Sequence, residues 1–277
     1  MFNQCSWSDG TIHYQVVGKG TPVILLHGFG EDSSIWGAQI TYLEKKCMLI
    51  IPGLPGTGSS EWTSTQDISA HSNAVDPSRF TIDKLADAVH AMLENEHIDR
   101  CFMLGHSMGG YITLAFAEKY PEQLLGFGLI HSTAFADSEE KKNVRLRGIE
   151  MMHIYGGFAF LKNTIPNLFG DRCKKDNPEI IEQLIQKSAS LTTSSLQAYY
   201  YAMMQRPDRT AVLQGNPLPI LFVLGTEDVA APLNDVLQQT HLPLISYIHV
   251  LEGIGHMGML ESTERINQYI DAFIHQS

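Results

Sequence analysis

Short apolar runs recur along the chain, each stopped by glycine or by a cluster of polar residues. Residues 12–17 alternate apolar and polar and close on Gly18-Lys19-Gly20, residues 23–26, 48–51, 101–104 and 220–224 are continuous apolar runs, and 124–131 and 245–251 are further strand-like runs. Alternation predicts a half-buried strand, and unbroken runs predict strands covered on both faces. Between the runs the apolar period lengthens to that of a helix. Leu85, Val89, Met92 and Leu93 share one face of a helix that Thr81 caps and Asp83 supports from its first turn. Ile112, Ala115 and Phe116 mark another, ended by Pro121, and Ile266, Tyr269, Ile270 and Phe273 a closing one. Strand and helix in alternation predict an α/β chain on a mostly parallel, doubly wound sheet.

This rhythm breaks between about 132 and 210, where strand signals give way to helical ones. Ser138-Glu139-Glu140 opens one helix, Asn177-Pro178-Glu179 opens another with Asn177 as its cap, and Leu196, Tyr199, Tyr200, Met203 and Met204 mark a third. The expectation is a core of residues 1–132 and 211–277 carrying an inserted helical lid, residues 133–210. The insertion is rich in methionine and aromatics. Met152, Phe158 and Tyr200, with Met257 from the core, are the candidates for an apolar substrate pocket; the competing reading is that such stripes pack lid against core. Lys141, Lys142, Arg145 and Arg147 read as a solvated helix face. The polar connector 61–79 reads as a surface loop near the mouth of the site.

Composition narrows the class. Hydrophobic residues make up 44% of the 277 and charged ones 18%, a globular balance. A net charge of −11 repels polyphosphate, so neither nucleic acid nor an anionic membrane surface is an expected partner. Cys5, Cys47, Cys101 and Cys173 are scattered without C-x-x-C spacing, which suggests reduced thiols rather than a zinc site or a disulfide framework. Twelve histidines include no H-x-x-x-H or H-E-x-x-H pair, so no metal site and no cofactor are expected. The glycines of 53–58 lack the lysine of a phosphate loop. The start of the chain has no basic segment or apolar core of a signal peptide, and no run approaches the ~20 residues that span a bilayer. A cytoplasmic location is the expectation.

The chemistry gathers where apolar strands end. Residues 101–104 run into Gly105-His106-Ser107-Met108-Gly109, a serine flanked by glycines two residues away on each side. That spacing suits a sharp strand-to-helix turn exposing a nucleophilic hydroxyl. Residues 23–26 end in His27-Gly28-Phe29-Gly30, 220–224 in Gly225-Thr226-Glu227-Asp228, and 245–251 in a loop carrying Gly255-His256. A serine hydroxyl is too weakly acidic to attack unaided at neutral pH, so an imidazole must take its proton, and a carboxylate must orient that imidazole. Ser107, Asp228 and His256 are the candidates, with the backbone N–H groups of Phe29 and Met108 as candidate oxyanion donors. Glu252 is the competing acid, but it lies on the same loop as His256. His27 reads as a structural hydrogen-bonding residue and His106 as a packing residue. Glu31 and Asp32 read as solvent-facing, since negative charge there opposes an oxyanion.

With these motifs in place, the chain closely resembles the α/β-hydrolase superfamily over nearly its whole length. The resemblance rests on the HG loop at His27-Gly28, the elbow at Gly105 to Gly109, the acid turn Gly225-x-x-Asp228, and Gly255-His256. It implies the α/β-hydrolase fold with a cap after the sixth strand, and a serine hydrolase working through an acyl-enzyme. Residues 52–59 resemble the family's P-D-x-P-G-x-G-x-S segment, with Gly53 in place of the common aspartate, a lost structural carboxylate. Serine at the elbow argues against the dehalogenase and epoxide hydrolase branches, and Gly28-Phe29-Gly30 lacks the G-P-G of the C–C hydrolases and iminopeptidases. Carboxylesterase chemistry on small, partly apolar esters is the leading expectation. A ligand-binding or receptor-like role, or C–C bond, lyase or perhydrolase chemistry, stays open as the alternative.

Overall fold

The computed structural model describes residues 2–62 and 79–276. Among them, nine strands form one sheet: β1 (Phe2–Trp7), β2 (Gly10–Gly18), β3 (Pro22–Leu26), β4 (Met48–Gly53), β5 (Glu61–Trp62), β6 (Cys101–His106), β7 (Leu124–Ile130), β8 (Pro219–Gly225) and β9 (Ile245–Leu251). Their order is β1-β2-β4-β3-β6-β7-β8-β9, with the short β5 on β2. Pairings of β2 with β1, β4 and β5 are antiparallel, and every pairing from β4 to β9 is parallel. The antiparallel β1 at the edge has no strong sequence signal, because only Cys5 of its side chains is buried.

Twelve helices accompany the sheet: α1 (Gly37–Leu43), α2 (Ile82–Asn95), α3 (Met108–Lys119), α4 (Glu139–Tyr155), α5 (Gly157–Thr164), α6 (Asp171–Asp176), α7 (Pro178–Ser188), α8 (Thr193–Gln205), α9 (Thr210–Leu213), α10 (Leu233–Leu237), α11 (Gly258–Glu261) and α12 (Thr263–Gln276). Successive residues of the central strands serve opposite faces, as the pleat requires. Ile24 and Leu26 of β3 join Leu85, Val89 and Ile112 of α2 and α3 in one apolar core, while Val23 and Leu25 join Leu43, Ile266 and Phe273 of α1 and α12 in the other. This double burial explains why β3, β6 and β8 are unbroken apolar runs.

Side-chain caps start two of the helices expected to have them, and a third begins without one. Thr81 and Ser138 accept hydrogen bonds from the N–H groups of Lys84 and Lys141, both at 3.2 Å, and so cap α2 and α4. Asn177, expected to cap α7, makes no such bond; Pro178 at the first position starts that helix instead. Helices α4 to α9 lie between β7 and β8, the last of them running past the expected boundary at residue 210. Arg209 fastens the end of this segment to the sheet-covering helices, reaching Asp83 at 2.6 Å and Glu118 at 2.9 Å. Glu61 and Trp62 of the expected surface connector form β5, while 63–78 fall outside the described residues. The four cysteines are free and buried, and burial pushes the Cys101 thiol up to about 12. No described helix is long and apolar enough to cross a membrane.

Candidate active site

Strand β6 delivers Ser107 to a turn that few residues tolerate. Its φ of 51° and ψ of −116° lie outside the ordinary regions for a residue with a side chain. The neighbours hold it there: the Ser107 N–H donates to Ile130 O at 3.0 Å, and Ser132 Oγ donates to Ser107 O at 2.7 Å. The flanking glycines are required sterically. A Cβ on Gly105 would stand 2.2 Å from the Gly109 carbonyl carbon, and one on Gly109 would stand 2.4 Å from Leu26 O. Helix α3 begins at the next residue, so the Met108 N–H is one of the four first-turn donors without an intrahelical acceptor.

Asp228 follows β8 and His256 follows β9, and the fold brings them together. His256 Nδ1 lies 2.9 Å from both Asp228 oxygens. The carboxylate is saturated: Oδ1 also accepts the N–H groups of Ala230 and Ala231, at 2.9 and 2.8 Å. Oδ2 meets a second imidazole, His131 Nδ1, at 3.0 Å. Burial alone raises a carboxyl pKa, yet His256, His131 and these bonds hold Asp228 far below the usual carboxylate range. His131 sits at a left-handed turn (φ 50°) after β7, and burial lowers its pKa. Its Nε2 is buried without a partner. Glu252 is exposed and takes no part.

A second buried pair supports the turn after β3. His106 Nδ1 lies 2.6 Å from Glu31 Oε1 and its Nε2 lies 2.9 Å from His256 O. Both ring nitrogens therefore face acceptors, an arrangement that only the imidazolium satisfies. Burial opposes that charge, but Glu31 raises the His106 pKa above its ordinary value. Glu31, desolvated in turn, is held below the carboxylate range by His106. The Gly28 N–H also donates to Glu31. Glu31 is thus not solvent-facing, and His106 is more than packing: together they brace the Gly28-Phe29 turn with their charges cancelled. Asp32 instead caps the following short turn through the Ser34 N–H, at 2.9 Å.

His27 is the hydrogen-bonding residue expected. Its Nε2 accepts from the Leu54 N–H at 3.1 Å, which leaves Nδ1 to donate to Gly28 O at 2.9 Å. The loop with Gly53 needs no carboxylate there, because Ser60 Oγ donates to Gly53 O at 2.6 Å and Thr57 Oγ1 to Leu54 O at 2.7 Å.

Ser107 and His256 open onto one cavity of about 630 Å³, its mouth included, with Phe29, Tyr111, Arg145, Tyr200, Met203 and Met257 in its walls. The segment between β7 and β8 contributes to this wall and to the setting of the His256 loop. Tyr200 packs on Phe29 with ring centroids 4.4 Å apart, and the His256 N–H donates to Leu168 O at 2.6 Å. Glu261 gathers the N–H groups of Gly170, Gly255 and Met257 at 2.7 to 3.1 Å, tying the segment before α6 to the His256 loop.

Of the pocket residues expected from the sequence, Tyr200 and Met257 line the cavity. Met152 does not: it is fully buried in the core cluster shared with β3. Phe158 is 42% exposed and also lies off the cavity. Arg145, expected on a solvated face, turns inward instead, because buried Asp137 draws its Nε to 2.6 Å. His131 carried a signal that sequence reading passed over, a polar residue ending an apolar strand. Arg145 and Glu31 carried none, since their partners Asp137 and His106 are assigned only by the fold.

Known proteins agree with this architecture. Residues 21–149 match the family model described as alpha/beta hydrolase fold. The dihydrolipoyllysine-residue acetyltransferase component of the acetoin cleaving system of Pseudomonas putida is 27% identical over 93% of the chain, and the chain spans 64% of that protein's length. Among solved structures, a thermophilic esterase from Thermogutta terrifontis, with malate bound, has a TM-score of 0.89 at 27% identity, covering 100% of this chain and 98% of that one. An enol-lactonase from Burkholderia xenovorans has a TM-score of 0.86 at 19% identity over 99% and 100% of the two chains, a likeness of fold. With its strand order, its strained serine turn after β6 and the full-length match to an esterase structure, the chain has the α/β-hydrolase fold.

Proposed function

We propose that the chain is a serine hydrolase that cleaves small carboxylic esters through an acyl-enzyme. The observation that carries this reading is the line Ser107, His256, Asp228: a strained, cavity-facing serine and, in the same cavity, an imidazole whose Nδ1 is held by a saturated carboxylate. The likeness to an esterase structure supports it. The helical segment 133–210 acts as the cap that walls the substrate site.

Because Asp228 binds His256 Nδ1–H, the imidazole keeps Nε2 as its free base. Ser107 Oγ attacks the ester carbonyl carbon as its proton passes to Nε2. The carbonyl π pair moves to oxygen, and the resulting oxyanion is held by the N–H groups of Phe29 and Met108, each such donor being worth about 3–4 kcal/mol in the transition state. The C–O bond then breaks, the alcohol leaving with the proton from Nε2. Water repeats the sequence on the acyl-enzyme and releases the acid and free Ser107. Asp228 stays ionised throughout and stabilises the imidazolium.

Labelling with a fluorophosphonate and a burst with a 4-nitrophenyl ester test this directly. Wild type reacts in both, and Ser107→Ala loses both. Turnover that survives in Ser107→Ala overturns the reading.

A further inference from the structure

The wall contributed by the insertion carries a charge for which ester cleavage as such has no use. Arg145 shares the cavity with Ser107 and His256. Its Nε donates to Asp137 Oδ2 at 2.6 Å, and Arg206 Nη1 stands 2.9 Å from Oδ1 of the same fully buried carboxylate. One carboxylate therefore meets two guanidiniums. Burial opposes its charge, but Arg145 and Arg206 hold the Asp137 carboxyl below its usual range, so the cluster keeps one uncancelled positive charge.

That charge is presented by Arg145. Arg206 is 3% exposed at its side chain, donates to the carbonyls of Met203 and Phe135 at 2.7 and 2.9 Å, and stacks 3.8 Å from the Tyr111 ring. Arg145 keeps 16% of its side chain accessible, lies 5.1 Å from the Tyr200 ring centroid, and commits Nε alone to Asp137. The guanidinium also meets the Tyr200 hydroxyl, and the remaining N–H bonds on its terminal nitrogens form the edge of the fork toward the cavity. Among the described residues of the cavity wall, the other charged groups cancel or stand behind it. Glu31 is neutralised by His106, and Asp228, with a fully buried side chain, lies behind His256. A largely desolvated guanidinium is costly without an anion, and a planar fork matches the geometry of a carboxylate.

We propose that Arg145 recognises a carboxylate on the substrate, so that the preferred esters carry a free carboxylate in their acyl or alcohol part. Asp137 acts as a positioning residue that holds Nε and aims the open edge of the fork. This inference rests on the serine-hydrolase reading.

Two matched ester pairs test it: 4-nitrophenyl hydrogen glutarate against its methyl ester, and 3-acetoxybenzoate against its methyl ester. Each kcat/KM is corrected for spontaneous hydrolysis. Wild type favours the anion in at least one pair by about tenfold or more, the scale of a desolvated charge pair. The ratio collapses in Arg145→Gln and is partly kept in Arg145→Lys. Free glutarate inhibits wild type competitively, and its inhibition constant rises by a similar factor in Arg145→Gln. Asp137 keeps Arg206 in both variants, and a circular-dichroism melt reports whether they fold. A ratio at or below one in both pairs, or a preference that survives in Arg145→Gln, overturns the inference while leaving ester hydrolysis intact. Failure of folded wild type to turn over any of the four esters overturns the hydrolase reading and the inference with it.

Discussion

Replacing Asp228 with asparagine changes one atom, yet its consequences are set by the surrounding donors. Oδ1 accepts two backbone N–H groups, from Ala230 and Ala231, which cannot turn into acceptors. The oxygen of the introduced amide must therefore take the Oδ1 side, and its NH₂ faces the Nδ1 atoms of His256 and His131, at 2.9 and 3.0 Å from the oxygen it replaces. His131, bonded only to the replaced oxygen, must then move its proton to Nε2, and His256, 2.9 Å from both oxygens, meets a donor on one side and is drawn to the same tautomer. For His256 that places a proton on the nitrogen assigned to receive the Ser107 proton, an inversion of tautomer worth about 10⁴-fold in kcat for a triad of this kind. For His131 it creates a buried N–H at Nε2, which has no partner, at about 1–3 kcal/mol. Steady-state hydrolysis of 4-nitrophenyl butyrate and urea unfolding measure the two effects on one protein. A kcat within tenfold of wild type refutes the expected inversion of the His256 tautomer, and unchanged stability refutes the claim that Asp228 fixes the His131 ring.

Two further outcomes follow from buried groups around the site. Glu31→Gln strands His106 beside His256 and is expected to lower stability by about 3–5 kcal/mol, the cost of breaking a buried pair. The effect depends on pH in a definite sense. The His106 pKa is raised above 6.5, so its contribution is fully present below that value and fades as pH rises through the folded pKa. The depressed Glu31 pKa adds stability above 4.5 that is lost as pH falls through the folded value. The wild-type advantage in Tm over Glu31→Gln is thus largest between about pH 4.5 and 6.5 and shrinks in alkali; a difference that grows with alkali contradicts the pairing. Met152→Ala and Tyr200→Ala separate core from pocket. The first costs about 2–5 kcal/mol of stability with KM unmoved, while the second raises KM for aryl esters, as measured by denaturation and kinetics in parallel.

The sequence by itself determined the elements and the identity of the candidate reacting groups. A strand buried on both faces must be apolar at every position, and a turn where backbones close to about 2.2–2.4 Å of a would-be Cβ must be glycine. Such constraints act on single positions or short spacings, so β3, β6 and β8 were legible, and Ser107 and Asp228 stood out where two of them ended, with His256 on the loop after the exposed edge strand β9. Only the tertiary structure decided which polar groups are paired. Glu31 and Arg145 have side chains long enough to reach water or the interior, and the choice belongs to His106, 75 residues away from Glu31, and to Asp137, whose burial is fixed by Arg206. The same holds for the pocket. Met152 and Tyr200 share a Met- and aromatic-rich segment, but one fills the core and the other walls the cavity, because helix phase in α4 and α8 is set by what each helix packs against and not by its own apolar period.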